Sequence, residues 1–297
     1  MARRAEPAFA PEAGLRAQLE RLAVVSNRPH GHLHTGGRRS RKSGSSIEFA
    51  DYRSYTPGDD FRQIDWNVYA RSDELFVKVR ESEETLVVHL FLDASASMAT
   101  GRPPKFDVAQ RLAAALGWVA LTSHDYLAAT LIGGDSTQHF PPQQGRAAAS
   151  RLYDFLDAQS PTGPTRLAAS ARAHAARGGP HGVAVLISDL LADDATEAIG
   201  MLVERGHELV VIHVLDGQGV QTDFAEEVEL VDVETGGSLE LYGDSALLAA
   251  FRATVAEWTS ELQAFCHRRH ARYIPIESEW PVEEVLLRRL RAHRVLA

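Results

Sequence analysis

Leu86-Val87-Val88-His89-Leu90-Phe91-Leu92-Asp93-Ala94-Ser95-Ala96-Ser97 is the stretch on which the fold turns. Its first seven residues form a short, nearly unbroken apolar run, as expected of a strand buried on both faces. The run stops abruptly at an acid followed by two hydroxyls at alternate positions. Outward from it, further apolar runs at 127–132, 183–188, 208–215 and 271–276 read as strands of the same kind. Helical periodicity fills the intervals at about 104–122, 146–158, 166–177, 194–205, 244–269 and 281–295. Strands alternating with helices predict an α/β fold: a Rossmann-like, mostly parallel sheet covered by helices on both faces. Thr137–Phe140 and Val228–Val233 read as additional edge or hairpin strands.

In an open parallel sheet, ligands bind beyond the carboxyl ends of the strands. The first strand delivers Asp93, Ser95 and Ser97 to that edge, and the strand Val183–Ile187 delivers Ser188 and Asp189. Thr165, just before a helical run that begins near Leu167, brings a third hydroxyl; Thr162 is a rival for that role. Such a set suits a hard divalent cation. Mg²⁺ takes six oxygens in octahedral array and keeps several waters. Ser95, Ser97 and Thr165 are candidate direct ligands, with Asp93 and Asp189 as water-bridged or orienting acids. Mg²⁺ is the first choice, Mn²⁺ and Ca²⁺ the alternatives. One open coordination position would accept a carboxylate from another protein. Each residue also has a plain structural role to set beside this one. Asp93 and the serines can cap the helix that follows near Pro104, Thr165 can be a helix N-cap, and Asp189 an ordinary loop acid. Asp216, at another strand end, reads as structural. Lys105 and Asp107 read as the first turn of the following helix and are assigned no chemistry.

The Asp-x-Ser-x-Ser spacing after a buried strand, with a later Thr and a later Asp, resembles the metal-ion-dependent adhesion site of von Willebrand factor A domains. Upstream, residues 43–66 (Ser43-Gly44-Ser45-Ser46-Ile47-Glu48-Phe49 through Tyr55-Thr56-Pro57-Gly58-Asp59-Asp60-Phe61 to Ile64-Asp65-Trp66) resemble the signature of domain-of-unknown-function family 58. The resemblance runs from about residue 40 to 240, with Asp232-Val233-Glu234-Thr235-Gly236 near its end. It implies a cytoplasmic adaptor or co-chaperone of a MoxR-type AAA+ ATPase, acting with an unidentified protein client in the assembly or maturation of other complexes. Where related sequences place a Gly-Asp turn before the second strand, this chain has Ser123-His124-Asp125-Tyr126. Relatives often carry transmembrane segments near the N-terminus, and no such run occurs here.

The remaining sequence divides into two parts. Residues 1–42 form a basic arm, partly flexible, with nine Lys/Arg against three Glu. That local +6 leaves −15 on the rest of a chain whose net charge is −9. An acidic body argues against nucleic acid as a partner, while the arm suits peripheral contact with an anionic membrane or an acidic protein. Within the arm, Leu15, Leu19 and Leu22 share one face of a short helix over 12–25. His30, His32 and His34 alternate in a glycine-rich loop that offers a metal no preformed geometry. Residues 43–83 read as a small aromatic and charged lobe, with Trp66 as its buried anchor and Leu75–Val79 as a strand. Residues 84–297 then form the A-type domain. No stretch reaches the ~20 apolar residues of a bilayer span. Cys266, the sole cysteine, reads as a packed thiol.

The reading is a binding module, not an enzyme. The alternative is a Mg²⁺-dependent phosphatase-like hydrolase with Asp93 as nucleophile. It would need a second acid two residues on for proton transfer, and position 95 is Ser. Gly217-Gln218-Gly219 follows a strand but lacks the third small residue and the prompt helix of a dinucleotide fingerprint. No Gly-x-Ser-x-Gly, Walker or His-Glu-x-x-His sequence occurs.

Overall fold

The structure is a computed structural model. It describes residues 7–26, 49–56, 61, 64–72, 74–80, 85–133, 137–217, 227–231, 233–234, 237–242 and 245–297. The histidine loop at 30–34 and most of the upstream signature before Phe49 lie outside these residues. The chain divides into two units, Met1–His30 with Thr85–Ala297, and Gly31–Glu84.

The larger unit begins with α1 (Ala13–Leu19). Leu15, Leu19 and Leu22 are buried, so the amphipathic face read from the sequence packs into this unit. Ala23 N–H donates to the Ala297 carbonyl (3.0 Å), and Val24 bridges to Leu296, fastening the two ends of the unit together.

The smaller unit contains β1 (Phe49–Ser54) paired antiparallel with β2 (Phe76–Arg80), and α2 (Trp66–Ser72) between them in sequence. Asp65 opens α2: its Oδ1 accepts from Asn67 N–H at 2.9 Å, the usual service of an N-terminal aspartate. Trp66, expected as a buried anchor, is 59% exposed. As the first residue of α2, a short helix with no buried residue, it meets Tyr69 edge-on.

Returning to the larger unit, the central elements are β3 (Val87–Asp93), α3 (Lys105–Thr122), β4 (Tyr126–Ile132), β5 (Gln138–Gln144), α4 (Ala149–Asp157), α5 (Leu167–Arg177), β6 (Val183–Ser188), α6 (Ala195–Glu204) and β7 (Glu208–Leu215). Then come β8 (Glu227–Val231), β9 (Ser238–Tyr242), α7 (Ser245–Arg268) and β10 (Arg272–Glu277). A last helical stretch runs from Val282 to Ala292 with a π-helical segment at Val285–Arg289. Six strands form one sheet in the order β10-β7-β6-β3-β4-β5, parallel except for the edge strand β5. β8 and β9 form a separate antiparallel hairpin.

Alternation along the strands explains why both faces are covered. Val88, Leu90 and Leu92 of β3 point into one core with α1, α3 and α4, whereas Phe91 points into the other with α5, α6 and α7. β6 and β7 repeat the division, with Val183, Val185, Ile187, Val210 and Ile212 on the first face and Ala184, Leu186, Leu209 and Val211 on the second. Each such fully buried side chain stabilises the fold by roughly 1.5–3 kcal/mol relative to exposure. α3 is buried nearly all round and lies close to its neighbours because Gly117 has no side chain. A Cβ there would stand 2.3 Å from Leu152 Cδ2. The strand order reverses at β3: the chain goes to β4 and β5 on one side, then returns to β6 on the other. The crevice beyond the ends of β3 and β6 is therefore the switch point of the sheet.

Among the described residues, no helix is long and apolar enough to cross a membrane.

Candidate functional site

Asp93 is the last residue of β3, and the register that pairs Leu92 with Ile187 brings it alongside Ser188. Ser188 Oγ donates to Asp93 Oδ2 at 2.5 Å and itself accepts from Leu190 N–H at 2.9 Å. The other carboxylate oxygen, Oδ1, accepts from Ser95 N–H at 3.0 Å. Asp93 thus holds its own loop in place from within. It is completely buried, which pushes its carboxyl up to about 6; nearby Asp189 adds to the rise and the Ser188 and Ser95 hydrogen bonds oppose it.

The motif then enters a 3₁₀ turn, Ala96–Ala99, with Ser95 extended before it. Ser95 Oγ and Ser97 Oγ lie 3.0 Å apart, both buried. Neighbouring loops grip the motif's backbone. Ala94 N–H donates to the Ile132 carbonyl, Ala96 N–H to Gly163 and Thr162 N–H to Ala94. The second and third of these tie the loop that carries Thr165 to the motif. Gly133 permits the close approach from the β4 side. Its φ is +133°, and a Cβ would stand 2.6 Å from the Ala94 carbonyl group.

Asp189 is fixed from three directions. Lys105 Nζ donates to its Oδ2 at 2.6 Å, and Leu191 N–H donates to Oδ1 at 3.2 Å. His213 Nε2–H donates to its backbone carbonyl at 2.9 Å, which leaves His213 Nδ1 to accept from the Tyr273 hydroxyl. Burial keeps His213 neutral, down to about 4, as that chain of donors requires. Lys105 and Asp189 are both buried, with side chains 5% and 2% exposed. The assignment of no chemistry to Lys105 is therefore corrected. Sequence periodicity puts it in the first turn of α3, where it is, but the turn points its ammonium into the switch point. Glu234 and His213 are likewise site residues to which the sequence reading assigns no role, and Ser188, read only as reaching the same edge, proves to be the donor that orients Asp93.

Thr165 is half-buried, at the mouth of the set. Its hydroxyl donates to Glu234 Oε1 at 2.6 Å and its N–H donates to Glu234 Oε2 at 3.1 Å. It does not cap α5. The N-cap position is Arg166, and Asp194 Oδ2 accepts from Ala168 N–H at 3.0 Å instead. Nor do Asp93 and the serines cap α3, whose N-cap is Pro104 with no side-chain hydrogen bond. Of the five nominated residues, Asp93, Ser95, Ser97 and Asp189 are buried and Thr165 is half-buried, on a loop whose Gly163 and Thr162 bond the motif's backbone. A cleft of about 520 Å³ opens beside Thr165 and Glu234, lined also by Leu190, Leu191 and Trp258. Among the described residues, no group of three or more His, Cys, Asp or Glu is arranged to hold a metal. A cation here would rest on hydroxyls with two acids behind them.

Near the amino-terminal ends of the strands is a second constellation, which the sequence reading also missed. His89, His174 and His207 pack with ring centroids 4.7–5.0 Å apart. Gly182 N–H donates to His207 Nδ1, so neutral His207 carries its proton on Nε2 and gives it to His174 Nε2 at 2.8 Å. Burial drives all three well below the ordinary histidine range, to about 3, 4 and 3.

Among curated proteins, the chain is similar to an uncharacterized protein of Mycobacterium bovis and to uncharacterized proteins of two Mycobacterium tuberculosis strains. Each is 31% identical over 255 residues, covering 82% of this chain and 80% of the relative. Similar solved structures include an aerotolerance-related membrane protein from Bacteroides fragilis (15% identity, 70% of this chain and 98% of that one, TM-score 0.43). Another is the manganese-loaded TRAP protein of Plasmodium vivax (23% identity, 43% and 57%, TM-score 0.33). The family model described as protein of unknown function DUF58 matches residues 51–261, and this chain belongs to that family.

Proposed function

We propose that the chain is a protein-binding module that grips an acidic side chain of its partner through a divalent cation. Ser95, Ser97 and Thr165 would hold the cation, with Asp93 and Asp189 behind them. The observation that carries this reading is the 3.0 Å separation of the Ser95 and Ser97 hydroxyls. Adjacent corners of an octahedron with bonds of about 2.0–2.1 Å stand about 2.9 Å apart, whereas the longer Ca²⁺ bonds would spread them to roughly 3.3–3.7 Å. When bound, the cation supplies an open coordination position to a carboxylate. The chain's own residues do the rest: Ser188 and Ser95 N–H orient Asp93, while Lys105 and Leu191 N–H orient Asp189.

A hydrolase using Asp93 has less support. A nucleophile must meet its substrate, yet Asp93 is wholly buried with both oxygens engaged. No carboxylate stands at position 95 to move a proton. Following the family resemblance, we assign the module to a MoxR-type AAA+ ATPase as an adaptor or co-chaperone in the assembly or maturation of protein complexes, acting in the cytoplasm. The test is metal-dependent stability and capture. Mg²⁺ or Mn²⁺ should raise the melting temperature of the wild type but not of Asp93→Ala. Pull-downs from the native source should lose an ATPase and a client on adding chelator. Phosphomonoester hydrolysis that disappears in Asp93→Ala would replace this reading with the enzymatic one.

A further inference from the structure

We infer that Glu234 is a resident ligand: the chain's own carboxylate holds the place that the partner's acidic side chain takes, so capture requires the β8–β9 hairpin to let go. The inference rests on the metal-assisted reading above and adds its regulation.

Thr165 donates to both oxygens of Glu234, through its hydroxyl and its N–H. Thr165 is the most exposed of the five nominated groups; the other four are buried, and the loop before Thr165 is tied to the motif at Ala94 and Ala96. A carboxylate arriving from outside would meet the set at Thr165, and there Glu234 already sits. The contact also shows that this mouth accepts a carboxylate, with one N–H and one O–H aimed at its two oxygens. Glu234 is carried by an element suited to release. It lies in the turn between β8 and β9, a two-stranded hairpin that is not part of the six-stranded sheet. Such a hairpin is marginal by itself in water. The charges favour exchange over permanent closure. Asp193 and Asp194 line the same cleft as Glu234, and the one buried ammonium near the site, Lys105, is committed to Asp189. The partner group that fits is an Asp or Glu side chain on a protein segment. A neighbouring apolar residue of that segment would enter the cleft against Leu191, which is 54% exposed.

The test uses full-length protein, Mn²⁺ as the metal and glutarate as the carboxylate probe. Mn²⁺ affinity and glutarate displacement of Mn²⁺-bound water are read by proton relaxation in wild type, Glu234→Ala and Glu234→Gln. Hydrogen exchange over 227–242 is read in parallel. If Glu234 occupies the mouth nine-tenths of the time, its loss tightens glutarate binding about tenfold. In the wild type, Mn²⁺ with glutarate should speed exchange of the β8–β9 amides. Equal glutarate affinity in wild type and both variants, with Mn²⁺ still bound, overturns the resident ligand alone. Loss of Mn²⁺ binding in both Glu234 variants makes Glu234 an obligatory metal ligand and also overturns it. Failure of Mn²⁺ to bind even the wild type removes the metal-assisted reading, and this inference with it.

Discussion

Replacing Lys105 by Met should destabilise the fold more than any exposed charge change, and a divalent cation should restore much of what is lost. Lys105 Nζ and Asp189 Oδ2 lie 2.6 Å apart with side chains 5% and 2% exposed. Met keeps most of the buried stem and deletes the charge. Removing one partner of a buried pair leaves the other charge uncompensated and costs about 3–5 kcal/mol. For a unit of this size a kcal/mol corresponds to about 2–4 °C, so melting should fall by roughly 6–20 °C in chelator. Lys105→Met with Asp189→Asn removes both charges and should recover most of that loss. A cation at a hundred times its dissociation constant adds about 2.7 kcal/mol. That gain should be larger in Lys105→Met than in the wild type, because the cation then takes over the duty of the missing ammonium. The assay is urea unfolding of four proteins (wild type, each single variant and the double) with chelator and with Mg²⁺. A loss below about 1 kcal/mol in Lys105→Met would refute the reasoning, as would a double variant no more stable than Lys105→Met.

Gly133→Ala should cost about 1–3 kcal/mol and weaken Mn²⁺ binding, because its Cβ would press on the Ala94 carbonyl group at a φ that side chains rarely adopt; an unchanged urea midpoint would contradict this. Stability should fall on acidification below pH 6.5. The unfolded chain protonates its histidines from about there, while His89, His174 and His207 stay neutral in the fold down to about 3, 4 and 3. Asp93 and Asp125, both raised to about 6, act in the opposite sense, since the fold keeps their protons where the unfolded chain has lost them. With His213, also held neutral down to about 4, four imidazoles stand against two carboxyls, so unfolding in urea should show a net loss of roughly 3 kcal/mol between pH 7 and 5.5. A midpoint at pH 5.5 equal to or above that at pH 7 rejects the account. Cys266 is fully buried with its thiol pushed up to about 11, so iodoacetamide should leave the native protein unmodified and label it only in denaturant.

What the sequence makes legible follows from how each feature is encoded. The six-stranded sheet announces itself because β3, β6 and β7 are buried on both faces, which requires unbroken runs such as Val183–Ile187, and because the helices between them have a distinct period. Asp93, Ser95 and Ser97 are legible for a related reason: they are contiguous, and a strand end fixes where they point. Trp66 was misread because an aromatic residue is apolar in any context, whereas its exposure depends on what a seven-residue helix has to pack against.

The site residues that escaped the sequence reading are those whose role is set by distance along the chain. Lys105 meets Asp189 across 84 residues, Glu234 meets Thr165 across 69 and His174 meets His207 across 33. Lys105 and the histidines sit in no motif, Glu234 lies in a stretch that carries only the family resemblance, and each type is ordinary at its place: a lysine opening a helix, a glutamate in a hairpin turn, a histidine in an amphipathic run. Their partners were visible only once the sheet order put the ends of β3 and β6 side by side. That order also changes the meaning of the motif. Read along the chain, Asp-x-Ser-x-Ser is a set of oxygens waiting for a cation. In the folded unit the two residues that join the motif from other loops already have partners, Asp189 an ammonium and Thr165 a carboxylate. On the proposed metal-assisted reading, a cation and an acidic partner would compete with groups the chain already supplies, and binding at this switch point would be an exchange rather than the filling of an open socket.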